Sequence, residues 1–192
     1  MFENLKDYRI ILASKSPRRK QLLSGLNIPF DVATLEVEEV YPDNLTMEEI
    51  PVFLAKLKAE PFLAEIKNNT LVITADTIVW IDGEVLGKPF DHSHAVEMLR
   101  KLSGRKHTVV TGVCLTSKSK QVSFSSLTDV WFKELSEEEI EYYLSSYHPY
   151  DKAGSYGVQE WIGYIAIDRI EGSYFNVMGL PVQRLYEELR RF

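Results

Sequence analysis

Residues 9–26 read RIILASKSPRRKQLLSGL, and their order decides the fold class. Arg9 to Ala13 is a short apolar run that predicts a buried strand. Ser14-Lys15-Ser16-Pro17 follows, with Ser16 suited to an N-cap and Pro17 to the first helical position. The run from Arg18 predicts a helix, with Gly25 as its stop. Strand, tight loop and helix start in succession open an α/β unit.

The pattern continues outward from there. Residues 30–37 predict a second strand. Thr46 with Glu49 forms a capping box for a helix over 47–67, with Pro51 in its first turn and Pro61 as a kink or split. Residues 70–81 (TLVITADTIVWI) predict strand, a polar interruption at Asp76-Thr77, then strand. Asp82-Gly83 is a hairpin signal. Asp91 caps a helix that Gly104 ends. Residues 107–116 and 120–132 predict a long hairpin, and Ser136 with Glu139 a capping box for a helix over 137–146. A strand over 163–170 and a terminal helix over 176–190 complete the chain, with Gln159 in the strand region beyond Gly157. Strands and helices in alternation, with hairpins, point to an α/β fold with a mixed sheet. No linker or repeat divides the chain, so residues 1–192 read as a single domain.

Composition narrows the function classes. Hydrophobic residues make up 45% and charged residues 26%, enough for a core. No apolar stretch reaches the length of a membrane span, and the first ten residues do not form a signal peptide. The single cysteine, Cys114, sits in an apolar alternating run and reads as buried and inert, which suits a reducing, cytoplasmic location. The net charge of −6 argues against a nucleic-acid partner, which would require a basic surface. The charge is uneven, however. Residues 1–27 hold six Lys/Arg against two acids, and residues 36–49 hold six acids with no Lys or Arg. A polyphosphate site with its metal needs both blocks; two solvated faces would show the same pattern.

Four places could carry chemistry. At Ser14 to Arg19 a helix start offers backbone N–H groups and a favourable dipole to an anion, and Arg18 and Arg19 add bidentate donors. The Walker pattern is absent, and an ordinary capped helix with surface arginines remains the alternative. Asp76 lies in an apolar run, where a carboxylate needs a metal, a cation or a substrate unless it is a turn residue. Glu38-Glu39 offers the hard oxygen ligands that Mg²⁺ takes in ones or twos beside substrate phosphates. Lys58, Lys88 and Lys152 are further cations. The four histidines have no triad or metal spacing and read as structural or exposed.

In order, Leu12-Ala13-Ser14-Lys15-Ser16-Pro17-Arg18-Arg19, Ala75-Asp76-Thr77, Gly87-Lys88-Pro89, Leu102-Ser103-Gly104 with His107, Asp151-Lys152-Ala153-Gly154-Ser155-Tyr156, and Gly172-Ser173-Tyr174 through Val177-Met178-Gly179-Leu180-Pro181 resemble the Maf family of nucleotide pyrophosphatases. The resemblance spans about residues 9–189. It implies a fold like that of inosine triphosphate pyrophosphatases, with a long mixed sheet, flanking helices and two lobes around a cleft. It implies hydrolysis of a nucleoside triphosphate to the monophosphate and pyrophosphate with a divalent cation, Mg²⁺ or Mn²⁺. Gly157-Val158-Gln159, Gly172-Ser173-Tyr174 and Asp151-Lys152-Ala153 look like the dTTP/UTP branch. The alternatives are the 7-methyl-GTP branch, a purine-type house-cleaning enzyme, or a nucleotide-binding regulator of septum formation.

Carried over residue by residue, the resemblance makes Asp76 the catalytic acceptor. It places Arg18, Thr77 and Gln159 at base choice, Ser14, Arg19, Lys58 and Lys88 at the phosphates, and Glu39 with Asp76 at the metal. Glu160-Trp161-Ile162 departs from the glycines that members often carry after the Gln, and Trp161 there could reshape the base pocket. The expected partner is the triphosphate itself, with no nucleic acid and no membrane. The oligomeric state stays open, a homodimer included.

Overall fold

The computed structural model describes residues 2–64 and 66–192. Strand β1 (Arg9–Leu12) runs parallel to β2 (Asp31–Val32) on one side and to β3 (Thr70–Ile81) on the other. Between β1 and β2 lies helix α1 (Pro17–Ser24), with Pro17 at its start and the Ser16 hydroxyl accepting the Arg19 N–H. Gly25 closes the helix with ordinary right-handed angles, and the left-handed turn falls on Asn27. The second strand is two residues rather than the eight expected. β1 is itself only four residues long, and the chain after it turns toward β3 through Ala13 N–H to the Ile73 carbonyl, so β2 loses its partner beyond Leu12.

Helix α2 (Glu49–Leu63) starts two residues later than expected and passes through Pro61 to end two residues beyond it. Glu49 does reach back to the Thr46 N–H at 2.8 Å, but the Thr46 hydroxyl donates to the same carboxylate at 2.9 Å instead of capping the helix. The expected extension toward residue 67 runs into residue 65, which lies outside the described residues. Pro51, Ala55 and Ala59 form a buried stripe at four-residue spacing.

The interruption expected at Asp76-Thr77 is absent: β3 is one continuous twelve-residue strand. β-branched neighbours favour extended backbone, and a cation held against Asp76 compensates its charge. β4 (Glu84–Leu86) pairs antiparallel with the end of β3 across Asp82 and Gly83, at φ 55° and 83°. Positive φ at both central residues is the pattern of a type I′ hairpin turn. Helix α3 (His92–Leu102) follows, capped by Asp91 on the His94 N–H at 2.8 Å. Strands β5 (Lys106–Thr116) and β6 (Gln121–Phe132) are joined by a turn in which the Ser117 N–H donates to the Lys120 carbonyl. Helix α4 (Glu137–Tyr147) carries the complete Ser136/Glu139 capping box.

The tail departs most from expectation. Residues 161–166 form helix α5 (Trp161–Ala166), and only then does β7 (Ile167–Glu171) pair antiparallel with β6. Gln159 is therefore in a turn and not in a strand. The terminal helix is two, α6 (Tyr174–Met178) and α7 (Val182–Arg191), parted at Gly179 with φ 112°.

Among the described residues, seven strands form one mixed sheet of order β2-β1-β3-β5-β6-β7, with β4 on β3. The described residues cluster into two compact units. The first holds residues 1–76, 111–126 and 179–192; the second holds 77–110 and 127–178. In the first, Thr74 donates to the Ala55 carbonyl at 2.6 Å, and the backbone of Pro51 lies against Gly112. Also there, α7 buries Leu185 and Leu189, and Asn4 donates to the Leu189 carbonyl at 2.8 Å. In the second, α3 packs on α4, and His107, Phe132 and Tyr156 make an edge-to-face cluster with centroids 5.0–5.4 Å apart.

Candidate active site

Parallel pairing of Leu12 with Ile73 brings the loop after β1 and the later part of β3 to the same end of their strands. Asp76 lies three residues beyond Ile73 and is buried. Its Oδ1 accepts from the Lys58 ammonium at 2.6 Å, and the same ammonium meets Glu39 Oε1 at 3.0 Å. Lys58 comes from α2 and its side chain is 18% exposed, so one shielded cation bridges two carboxylates. This explains how a charged residue sits in the middle of a buried strand: without Lys58 the Asp76 carboxylate would be left uncompensated, whereas Lys58 without Asp76 keeps Glu39.

Arg19, on the first turn of α1, works largely through the backbone. Its Nε donates to the Gly179 carbonyl and its Nη1 to the Ala75 carbonyl, both at 2.8 Å. The second bond fixes the peptide just before Asp76. Desolvation lowers the pKa of the guanidinium; Asp76 opposes this, Arg18 adds to it and Glu39 opposes it. The helix start itself is less open to an anion than the sequence implied. Pro17 has no N–H, the Ser16 N–H donates to the Ser14 hydroxyl at 3.2 Å, and the Arg19 N–H donates to the Ser16 hydroxyl at 3.4 Å. Lys15 points its charge at exposed Glu36, at 2.6 Å.

Ser14, Arg18, Arg19, Glu39, Lys58 and Asp76 thus belong to the first unit. Thr77, Lys88 and Gln159 belong to the second. Strand geometry turns Thr77 to the face of β3 opposite Asp76. Lys88 is exposed on the loop after β4, where the Gly87 carbonyl accepts the Gly154 N–H at 3.0 Å. Gln159 carries a buried Oε1 with no hydrogen-bond partner among the described residues.

The donor set can be tested against a divalent cation. Among the described residues no group of three or more His, Cys, Asp or Glu could hold a metal ion. Glu39 and Asp76 converge as a pair of hard carboxylates on one positive centre. Such a pair fits Mg²⁺ or Mn²⁺ that completes its shell with water and substrate phosphates, and not a cation caged by protein alone.

Sequence reasoning missed Tyr143 and did not join Lys152 to Glu160 beside Gln159. Tyr143 is fully buried, donates its hydroxyl to Glu160 Oε2 and accepts the Gly157 N–H at 3.0 Å. Lys152, also buried, meets Glu160 Oε1 at 3.0 Å and Asp151 Oδ1 at 2.7 Å. The signals available were Glu160, a charge directly after Gln159, and Lys152, named as a cation without a partner. Trp161 stacks edge-on against Tyr142 at 4.8 Å.

A family model described as Maf-like protein matches residues 9–192. The chain is 60% identical over its full length to a Phocaeicola vulgatus protein, itself wholly covered, named dTTP/UTP pyrophosphatase. It is 56% identical to a Porphyromonas gingivalis protein of the same name, covering all of this chain and 98% of that one. In fold it is similar to the Ham1 protein of Staphylococcus aureus, with TM-score 0.50 at 16% identity over 94% of this chain and 99% of that one. With a family model spanning nearly the whole chain and relatives this similar end to end, the protein belongs to the Maf family.

Proposed function

We propose that the chain hydrolyses dTTP and UTP to the monophosphate and pyrophosphate, as one functional domain acting in the cytoplasm with a divalent cation. The observation that carries this reading is the Lys58 ammonium bridging buried Asp76 and Glu39 inside a Maf-family chain. Support for the base preference is the name shared by relatives at 56–60% identity. No helix of the described residues is long and apolar enough to cross a membrane.

In this reaction water attacks the α-phosphorus, the α–β bridging bond breaks and pyrophosphate leaves. Asp76 orients the water and accepts its proton. Lys58 balances the charge that builds on the bridging oxygen, and Arg18, Arg19, Ser14 and Lys88 hold phosphate oxygens. Glu39 and Asp76 would hold a divalent cation, which would supply charge screening and a more acidic water. Arg18, Thr77 and Gln159 select the base. An amide both donates and accepts, matching the O4 and N3–H edge of thymine or uracil and mismatching cytosine. Buried polar groups left unpaired make such discrimination large.

The test is pyrophosphate release from dTTP, UTP, dCTP, purine triphosphates and 7-methyl-GTP with Mg²⁺, Mn²⁺ or chelator. Asp76→Asn is expected to lower turnover by about 10²–10⁴-fold while the fold persists. Near-normal release by that variant sinks the role of Asp76, a chelator-insensitive rate sinks the cation, and preference for a purine or 7-methyl-GTP sinks the base assignment.

A further inference from the structure

A carboxylate enclosed like Glu160, with its side chain 19% exposed, requires partners, and it has two of opposite kind. Oε2 takes the Tyr143 hydroxyl and Oε1 the Lys152 ammonium. The Tyr143 oxygen in turn accepts the Gly157 N–H, so carboxylate, phenol and backbone form one chain of bonds around the turn 157–160. Burial and Glu160 raise the Tyr143 pKa, keeping the hydroxyl a donor. The next residue, Trp161, rests on Tyr142, so consecutive tyrosines of α4 grip the turn at consecutive points. The turn is tight: a Cβ on Gly157 would lie 2.8 Å from Gln159 Nε2 and 2.9 Å from Glu160 Cδ. Within this frame sits the buried Gln159 Oε1, an acceptor with no hydrogen-bond partner among the described residues. A framework this well satisfied, built around one unsatisfied acceptor, has the form of a recognition element held ready for a donor.

We propose that Glu160 and Tyr143 are positioning residues for substrate choice, fixing the turn that presents the Gln159 amide to the N3–H edge of a pyrimidine base. This rests on the reading of Gln159 as the base selector. The measurement is the ratio of kcat/KM for dTTP over dCTP, which does not depend on how much of a preparation is active. Tyr143→Phe deletes one oxygen and leaves the Gly157 N–H without its acceptor; Glu160→Ala removes the carboxylate. Each is expected to lower the ratio by about tenfold, with the loss in KM for dTTP more than in kcat. The double variant loses little more than the larger single one, since both act through one chain of bonds. If Glu160→Ala does not fold, Tyr143→Phe decides alone. A ratio within about twofold of wild type, or an equal fall for every substrate, overturns the proposal. Gln159→Leu separates the two ideas. An unchanged ratio in that variant removes the reading of Gln159 itself. A collapsed ratio there, with Tyr143 and Glu160 variants unaffected, removes only their positioning role.

Discussion

At the scale of single residues, the molecule places several charged or polar groups inside and pairs them by long reach. His107 is an instance with a pH signature. It is 2% exposed, its Nε2 is 2.7 Å from the Tyr156 oxygen, and desolvation pushes its pKa down to about 3, only partly opposed by Asp129. The unfolded chain therefore binds a proton near pH 6.5 that the folded protein refuses until about pH 3. Its contribution is complete above pH 6.5 and is lost as pH falls toward 3, reaching about 2–3 kcal/mol by pH 4.5. Urea unfolding of wild type and His107→Gln at pH 7 and 4.5 should show a smaller acid loss in the variant; equal losses would contradict the buried neutral imidazole. Such partners explain how much of the site was legible. Asp76 stood out because a lone carboxylate in an apolar run calls for a cation, and Lys58 and Glu39 were named for the same centre. Tyr143, Lys152 and Glu160 were not linked, because their meeting depends on a turn whose shape no local pattern encodes.

At the scale of elements, helix ends with strong side-chain caps, at Ser16, Asp91 and Ser136, were legible, as was the Asp82-Gly83 turn. Elements decided by partners were not. β2 stops because β1 stops; β3 continues through Asp76 because Lys58 answers the charge; and the short apolar run 161–170 has no period that separates a helical turn from a strand. Gly112 shows the same dependence on a neighbour. A Cβ there would sit 2.2–2.3 Å from the backbone of Pro51 and Val52 in α2, a contact no side-chain movement can relieve. Gly112→Ala is expected to destabilise by about 3 kcal/mol in urea unfolding. Gly87→Ala, where nothing lies within 4 Å, should change stability far less and serves as the control. Similar midpoints for both would refute the close packing of α2 on β5.

At the scale of the whole molecule, the mixed α/β class was legible from alternation alone, whereas two lobes were expected only from the resemblance, since neither compact unit is a continuous stretch of chain. The last segment of the first unit is far from inert. α7 buries Leu185 and Leu189 completely, its Leu189 carbonyl receives Asn4, Phe192 meets Tyr8 edge-on, and Lys120 donates to the Phe192 carbonyl at 2.9 Å. Deleting residues 182–192 should lower the melting temperature by at least about 10 °C, or abolish cooperative melting, given the worth of two buried leucines. A truncated chain melting like the full one would mean that the segment only decorates the surface. The interleaving also bears on inheritance. The backbone passes from one unit to the other at 76/77, 110/111, 126/127 and 178/179. A gene fragment encoding 77–178 carries residues 111–126 of the first unit as passengers, so a clean exchange of the second unit between related genes needs two inserted pieces and four crossovers. A single crossover therefore always divides the first unit between two parents, and it leaves the second whole only when it falls outside residues 77–178.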